Sequence, residues 1–110
     1  MTTSEAGPVG VVHVSGEVDL ATSETMAEQV FGMLAERPSA VVVDLTSVAF
    51  MGSTGLGVLI EASQRAQQGA TTFRIVASSS PVLRPLEISG LKALLPVFAS
   101  MPEALQGIRD

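Results

Sequence analysis

Several residue types are missing or scarce in this chain of 110 residues. It has no cysteine, which excludes disulfide and thiolate chemistry and is consistent with a reducing compartment. Tryptophan and tyrosine are also absent, and four phenylalanines are too few to suggest an aromatic platform on which bases stack. Only six lysines and arginines oppose eleven acidic residues, and the net charge of −5 argues against a surface that binds a phosphate backbone. We therefore expect no nucleic-acid partner.

The chain also lacks a long apolar run. Its longest uncharged stretch, Leu45 to Ile60, contains serine, threonine and three glycines, and it falls short of the roughly 20 apolar residues that a membrane span requires. The first basic residue is Arg37, so the start has no positive segment of the kind that opens a secretory signal. These absences predict a cytoplasmic domain, a monomer or a weak dimer, that makes no contact with a membrane.

Apolar residues make up 46% of the sequence and form short runs rich in valine. Val9–Val14 is rich in β-branched residues and predicts a strand, whereas the small and polar residues Met1–Pro8 predict a flexible terminus. Ala40–Leu45 is a continuous apolar run, which is typical of an inner strand of a parallel sheet. Phe73–Ala77 predicts a third strand, and Leu95–Phe98 predicts a short strand at the sheet edge.

Apolar residues at helical spacing separate these strands. The first helix is predicted to have Thr22 or Ser23 as its cap and to stop at Pro38. The second is predicted to begin near Ser53 or Thr54 and to end at Gly69. Their predicted buried faces consist of Met26, Val30, Met33 and Leu34 in the first helix and Leu56, Leu59, Ile60 and Ser63 in the second.

Two further helices are predicted in the last third of the chain. Ser80 and Pro81 form a start signal, with a capping serine and a proline at the first helical position. Pro85 lies inside the predicted helix, beyond the first turn, where a proline removes a backbone hydrogen bond. This helix is therefore expected to be short or distorted before it ends at Gly90. Ser100-Met-Pro-Glu103 has the spacing of a capping box and predicts a terminal helix.

The resulting order, β-α-β-α-β-α-(β)-α, predicts a single α/β domain over residues 9–110, preceded by the flexible residues 1–8. Its central sheet is expected to be mixed and mostly parallel, with four to five strands flanked by about four helices. Because right-handed crossovers bring the loops after parallel strands to one edge, the loops beginning near Gly16, Thr46 and Ser78 should meet there.

The segment Phe50–Gly57 follows the most apolar strand and opens a helix, so it is the strongest candidate for a functional site. Ser53 lies where the first N–H groups of a helix lack partners. A hydroxyl there can serve simply as an N-cap, as can that of Thr54. It can also accept a phosphoryl group, which the free N–H groups and the helix dipole would stabilise. Position alone leaves both interpretations open.

Five sequence blocks occur in an order and at a spacing that resemble a known family. They are Gly16-Glu-Val-Asp-Leu20, Val43-Asp-Leu45, Phe50-Met-Gly-Ser-Thr-Gly-Leu-Gly57, Ser80-Pro81 and Ser89-Gly-Leu91. Over residues 9–108 the chain resembles a stand-alone STAS domain of the anti-sigma factor antagonist family (anti-anti-sigma factors).

The resemblance implies a regulatory function in transcription rather than catalysis. In that family the unphosphorylated protein binds an anti-sigma factor, usually a serine kinase, and this frees a sigma factor. The kinase then phosphorylates the antagonist and ends the interaction, and a serine phosphatase restores it. By this resemblance Ser53 is the phosphoacceptor, while Asp19 and Gly55 lie near the phosphosite or the partner. Thr54 is the following hydroxyl position, which implies a structural cap.

One departure from the family motif concerns Gly52, which stands where an acidic residue usually precedes the acceptor. In the family, the carboxylate of that acidic residue could orient the serine or meet a basic group of the kinase. The absence of this carboxylate here could therefore impair phosphorylation. The loss also removes a like charge beside a phosphoserine and could favour the modified form.

The alternative function is a STAS adaptor subunit of a transport or signalling complex that is never phosphorylated. Met51, also in this loop, is expected to be an exposed apolar contact for a partner.

Other chemistries find little support in the sequence. The only histidine, His13, falls in the first predicted strand, and no Gly-x-Ser-x-Gly elbow is present, so a serine hydrolase is not expected. The glycines match neither a P-loop nor a dinucleotide fingerprint, although weak nucleotide binding at the helix start stays open. Asp19 and Asp44 lack His or Cys neighbours for a metal site, and Asp44 could cap or hydrogen-bond a nearby loop. We expect no catalytic residue, cofactor or metal.

Overall fold

The computed structural model describes residues 1–108, so Arg109 and Asp110, the end of the predicted domain, lie outside the described residues. Within that range the chain forms five strands, four α-helices and one 3-10 turn. In chain order they are β1 (Thr2–Ala6), β2 (Val9–Val18), α1 (Leu20–Ala35), β3 (Ala40–Met51), α2 (Ser53–Gln68), β4 (Thr72–Val76), α3 (Ser80–Ile88), the 3-10 turn (Leu91–Ala93), β5 (Val97–Phe98) and α4 (Met101–Leu105).

The strands form one sheet in the order β1-β2-β3-β4-β5. The pair β1–β2 is antiparallel, and the pairs β2–β3, β3–β4 and β4–β5 are parallel. This is the mixed, mostly parallel sheet with four helices that the alternation of elements predicted, and the fold class is confirmed. Among residues 1–108, no helix has both the length and the apolar character that crossing a membrane requires.

The segment before Val9 differs from its prediction as a flexible terminus. Thr2–Ala6 forms β1 and pairs in register with β2, from Thr2 opposite His13 to Ala6 opposite Val9. Gly7 completes the turn with φ 63°, a conformation that glycine adopts without steric cost. The polar sequence gave no apolar alternation to predict a strand, because β1 is held mainly by backbone hydrogen bonds to the edge of β2.

The two central strands are longer than predicted. We expected the strand pattern to break at Gly16 and a loop to begin at Thr46, but β2 continues to Val18 and β3 to Met51. Their pairing also continues, with register shifts between His13 and Ser15 and again after Gly16. Such bulges interrupt the regular alternation of inward and outward residues. This is why the sequence pattern of these ends resembles loop rather than strand.

The core lies on both faces of the sheet. The larger cluster packs α1, α2 and α3 against alternate strand residues such as Val12, Val43 and Ile75, all of them fully buried. The smaller cluster covers the opposite face, where Val11, Val42 and other strand residues meet α4 through Ala104. Because β3 is buried on both faces along Ala40–Val43, its continuous apolar run is explained.

Several predicted helix details are corrected. The buried stripe of α2 consists of Gly55, Leu59, Ala62 and Ala66, with Leu56, Ile60 and Ser63 only half-buried. In α1 the buried residues are Ser23, Met26, Val30 and Leu34, with Met33 half-buried. Pro81 occupies the second helical position of α3, because the N-cap is Ser79. As predicted, α3 is short and contains Pro85, α2 ends before Gly69, and Ser100 caps α4.

Candidate functional site at two adjacent helix starts

Two helices begin side by side at the carboxyl edge of the sheet. Val18 and Met51 are paired on the neighbouring strands β2 and β3 and are the last residues of those strands. One residue further, Asp19 is the N-cap of α1 and Gly52 is the N-cap of α2. The N–H of Gly52 donates to the carbonyl of Val18 at 2.9 Å, which ties the two turns together. The two helix N-termini are therefore neighbours with equivalent positions in the fold.

The start of α1 is fully capped. The carboxylate of Asp19 accepts a hydrogen bond from the N–H of Thr22 at 3.0 Å, and the Thr22 hydroxyl accepts from the N–H of Asp19 at 2.8 Å. The two residues thus form a capping box, and the predicted cap at Thr22 or Ser23 is wrong by three or four positions. Hydrogen bonds from the N–H and the hydroxyl of Thr22 hold the pKa of Asp19 below its ordinary value. Asp19 is thus a structural carboxylate that stays ionised at neutral pH.

The start of α2 has no such cap. Gly52 has no side chain to accept a hydrogen bond, and Ser53 and Thr54 are the first two helical residues. Neither of the predicted caps, Ser53 or Thr54, therefore occupies the cap position. Their side chains are exposed, and no side-chain hydrogen bond caps this helix start within the described residues. The N–H groups of Ser53 and Thr54 also lack a protein acceptor in this range, whereas those of Gly55 and Leu56 donate to the carbonyl of Gly52.

Close packing of the first turn of α2 fixes the position of Ser53. Gly55 faces the sheet, and a methyl group added there would lie 2.4 Å from Met51 Sδ and 2.7 Å from Val18 Cγ1. Only glycine allows so close an approach of helix to strand. Met51, predicted to be an exposed partner contact, is in fact only 3% exposed and belongs to the core. Its side chain instead supports the turn that carries Ser53.

Two exposed apolar residues at this edge were missed by the sequence reasoning. Phe50 is 53% exposed and Leu20 is 69% exposed. Phe50 belonged to the motif Phe50–Gly57, but it fell in a segment that was expected to be loop, so no strand alternation was applied to it. Leu20 followed a segment that was expected to be loop. An isolated aromatic residue in an otherwise valine-rich strand was the one available signal.

The charged residues of the two helix starts are all acidic. Glu17 is the cross-strand neighbour of Phe50, Asp19 caps α1, and Glu24 lies exposed in its second turn. Residues 15–25 and 46–57, which form the two helix starts and the strand ends before them, contain no lysine or arginine. The site therefore combines an exposed serine with apolar side chains and carboxylates.

Comparison with known proteins agrees with this arrangement. The family model of the STAS domain matches residues 1–104 of the chain. The chain belongs to the STAS domain family. It is 34% identical over 109 residues to the anti-sigma-F factor antagonist RsfB of Mycobacterium tuberculosis, an alignment that covers 99% of this chain and 88% of that protein.

Solved structures extend the comparison to the fold. A crystal structure of an anti-sigma factor antagonist from Mycobacterium paratuberculosis superposes with a TM-score of 0.91 at 32% identity and covers 99% of this chain and 92% of that one. The phosphorylated form of the Bacillus cell fate determinant SpoIIAA superposes with a TM-score of 0.74 and covers 98% of each chain. At 17% identity, the second likeness shows the fold alone.

His13 lies away from the site of this STAS domain. Its Nδ1 donates to Asp44 Oδ2 at 3.1 Å, and its Nε2 lies 2.9 Å from Ser4 Oγ. Burial raises the pKa of Asp44, but hydrogen bonds from the N–H and hydroxyl of Thr46 and from His13 outweigh it, and the net direction is down. Asp44 thus accepts hydrogen bonds from Thr46 in its own strand and from His13 on β2, so it has neither of the two uses expected, a cap or a bond to a nearby loop. His13 links three strands and is not placed as a base for Ser53.

Proposed function

We propose that this STAS domain is an anti-sigma factor antagonist and that phosphorylation of Ser53 switches it off. In this proposal the unphosphorylated chain binds an anti-sigma factor, which is also a serine kinase, and thereby releases a sigma factor. The kinase transfers phosphate to Ser53 and dissociates, and a serine phosphatase restores the binding form. The names of the most similar proteins, which are antagonists of anti-sigma factors, support the first part of the proposal.

One observation supports Ser53 as the acceptor: it is the first residue of a helix that has no cap. The exposed hydroxyl is accessible to a kinase, and the N–H groups of Ser53 and Thr54 are available to a phosphate. The adjacent α1 shows that this edge accommodates an anion at a helix start, since the carboxylate of its N-cap, Asp19, accepts from the N–H of Thr22. A phosphate on Ser53, one position further into α2 than its cap, could accept from the N–H groups of Ser53 and Thr54 without unfolding the domain.

The switch follows from the charge that the phosphate adds. Phosphoserine carries about −1.5 to −2 charges at neutral pH, and it would stand among Glu17, Asp19 and Glu24 on a surface that is already acidic. A partner that packs closely on this edge would have to desolvate that added charge or leave. Loss of binding therefore requires no change of fold, only a new charge at the contact.

Gly52 bears on the phosphorylation step itself. A methyl group added at Gly52 would lie 3.1 Å from the carbonyl oxygen of Val18, so an aspartate at this position would need a small shift of the turn. Without a carboxylate, no side chain of residue 52 competes with the phosphate for the free N–H groups of α2. This supports the second of the two consequences predicted for the glycine, in which the modified form is favoured.

The proposal is tested with the purified chain, an anti-sigma factor with kinase activity and ATP. The wild-type chain should gain one phosphate by intact mass, and Ser53→Ala should gain none. Thr54→Ala is the matched control and should be phosphorylated like the wild type. If Ser53→Ala still gains a full phosphate, Ser53 is not the acceptor, and a concurrent loss in Thr54→Ala would assign it to the neighbouring hydroxyl.

Binding assays complete the test. Ser53→Ala should keep the affinity of the wild type for the anti-sigma factor, and Ser53→Asp should lose it. Equal affinity of the two variants would refute the switch. If the chain isolated from cells never carries phosphate under any growth condition, the adaptor function gains support instead. Treatment of the phosphorylated chain with a serine phosphatase should restore binding.

A further inference from the structure

The aromatic side chain of Phe50 is exposed to solvent, which is unfavourable unless another molecule covers it. Its ring is 53% exposed, whereas the other three phenylalanines of the chain are buried or half-buried. It lies in β3 three residues before Ser53, at the same edge of the sheet. Leu20, the first residue of the neighbouring α1, is also exposed there. Exposed apolar side chains grouped at one edge are typical of a contact surface for another protein.

The ring lies beside the turn that carries Ser53. A methyl group added to Gly52 would lie 3.4 Å from Cε2 of Phe50 and 3.9 Å from its Cζ, which is ordinary van der Waals contact, so the ring is next to the backbone of this turn. Phe50 and Ser53 therefore belong to one surface, and a partner that reaches Ser53 also meets the ring.

The charges around the ring indicate what kind of protein can cover it. Glu17, directly across the strand pair, and Asp19, at the start of α1, are exposed carboxylates beside the apolar residues. No lysine or arginine occurs in residues 15–25 or 46–57. A partner that packs here must supply the missing cations, because charges of opposite sign across an interface favour encounter and orientation. Aromatic residues surrounded by polar groups are frequent energetic centres of such interfaces.

We propose that Phe50 is an anchoring contact of this chain for its anti-sigma factor. The ring inserts into an apolar pocket of the partner that basic side chains border. The inference rests on the proposed function, since it names a contact within the same interface. It predicts that recognition by this chain depends on the aromatic side chain of Phe50.

The test uses purified anti-sigma-F factor of Mycobacterium tuberculosis as the probe, chosen because RsfB is named as its antagonist. Titration calorimetry should show that Phe50→Ala lowers the affinity about tenfold or more, as the loss of an aromatic anchor does. Leu94→Ala is the matched control, because Leu94 is 77% exposed and precedes β5 at the other end of the sheet. Its affinity should stay within about twofold of the wild type.

A spectroscopic arm reports on the ring itself. The chain has no tryptophan, so Phe50→Trp introduces a single fluorophore at the proposed contact. Its emission should shift to shorter wavelength and resist acrylamide quenching when the anti-sigma-F factor binds. Emission that is unchanged in the complex would overturn the insertion of the ring, even if Phe50→Ala weakens binding by another route.

The outcomes separate this inference from the proposed function. If Phe50→Ala binds like the wild type while Ser53→Asp does not bind, the role of Phe50 is refuted and the phosphorylation switch stands. If Ser53→Asp binds like the wild type and Phe50→Ala does not, the contact is supported and the switch is refuted. If the wild-type chain does not bind the anti-sigma-F factor at all, the inference fails together with its premise for this partner.

Discussion

Replacing Gly55 by alanine tests the packing that positions Ser53. In a solvent-exposed part of a helix, a change from glycine to alanine stabilises a protein by about 0.5–1 kcal/mol. At Gly55 the added methyl would lie 2.4 Å from Met51 Sδ and 2.7 Å from Val18 Cγ1, far inside the normal contact distance of about 3.5–4.0 Å. The thioether of Met51 can move, but Val18 is β-branched and fully buried. Helix and sheet must therefore separate, at an overpacking cost of about 1–3 kcal/mol.

The same helix contains its own control. Gly57 is exposed, and within the described residues an added methyl there would meet nothing within 4 Å. Gly57→Ala should therefore stabilise the domain, whereas Gly55→Ala should destabilise it by about 1–2 kcal/mol net. For a chain of 110 residues, 1 kcal/mol corresponds to a change of about 4 °C in Tm. Thermal unfolding followed by circular dichroism should separate the Tm values of the two variants by about 6 °C or more, and urea unfolding should give the same order of stability. If Gly55→Ala is as stable as Gly57→Ala, the close approach of α2 to Val18 is wrong.

Three further predictions concern other parts of the fold. Gly10→Ala should cost less stability than Gly55→Ala in the same unfolding assays, because its methyl meets only the flexible thioether of Met33, with Sδ 2.3 Å away; an equal loss would show that Met33 cannot move. The folded-state pKa of Asp19 is depressed, so the ionised carboxylate contributes to the stability of the fold above the unfolded pKa of about 3.8, and this contribution is lost as the pH falls through the lower folded value. Asp19→Asn should therefore flatten the dependence of Tm on pH between about 5 and 2. If Tm of this variant still falls with pH as in the wild type, the capping box is contradicted. Ser100→Ala should destabilise α4 by about 1 kcal/mol, visible as a lower urea midpoint, because Ser100 Oγ accepts from the N–H of Glu103.

The sequence predicted the centre of the fold well, because its signals there are strong. The run Ala40–Val43 is buried on both faces and could be nothing but an inner strand once helices flanked it. The helix from Ser53 to Gly69 was also evident from its spacing and its terminal glycine. By contrast β1 was missed, since Thr2–Ala6 contributes backbone hydrogen bonds rather than an apolar face. Elements held by the backbone alone leave little trace in composition.

At the site, the prediction failed where a strand continues past its predicted end. Met51 was expected outside and Phe50 was not considered, yet Met51 is in the core and Phe50 is exposed. The residues from Thr46 on were expected to be loop, but β3 continues to Met51. Met51 lies on the same face as Val43 and Leu45, because the two one-residue shifts in the β2–β3 pairing together restore the alternation. The cap of α1 was misplaced for a related reason, because β2 runs on to Val18 and the helix starts directly at Leu20. Neither feature is encoded by spacing alone.

The members of the motif Phe50–Gly57 divide into those with a task in the fold and those without one. Met51 is buried in the core, and Gly55 allows α2 to approach Val18. Gly52 forms the turn, and its N–H donates to the carbonyl of Val18. The two exposed hydroxyls, Ser53 and Thr54, do none of this, although they begin a helix whose first N–H groups lack a protein acceptor within residues 1–108. With glycine at the cap position in place of Ser, Thr or Asp, α2 forgoes roughly a few tenths of a kcal/mol. The neighbouring α1 has such a cap, so the fold does not forbid one. In the proposed function, this helix start receives an anion when a phosphate is added to Ser53.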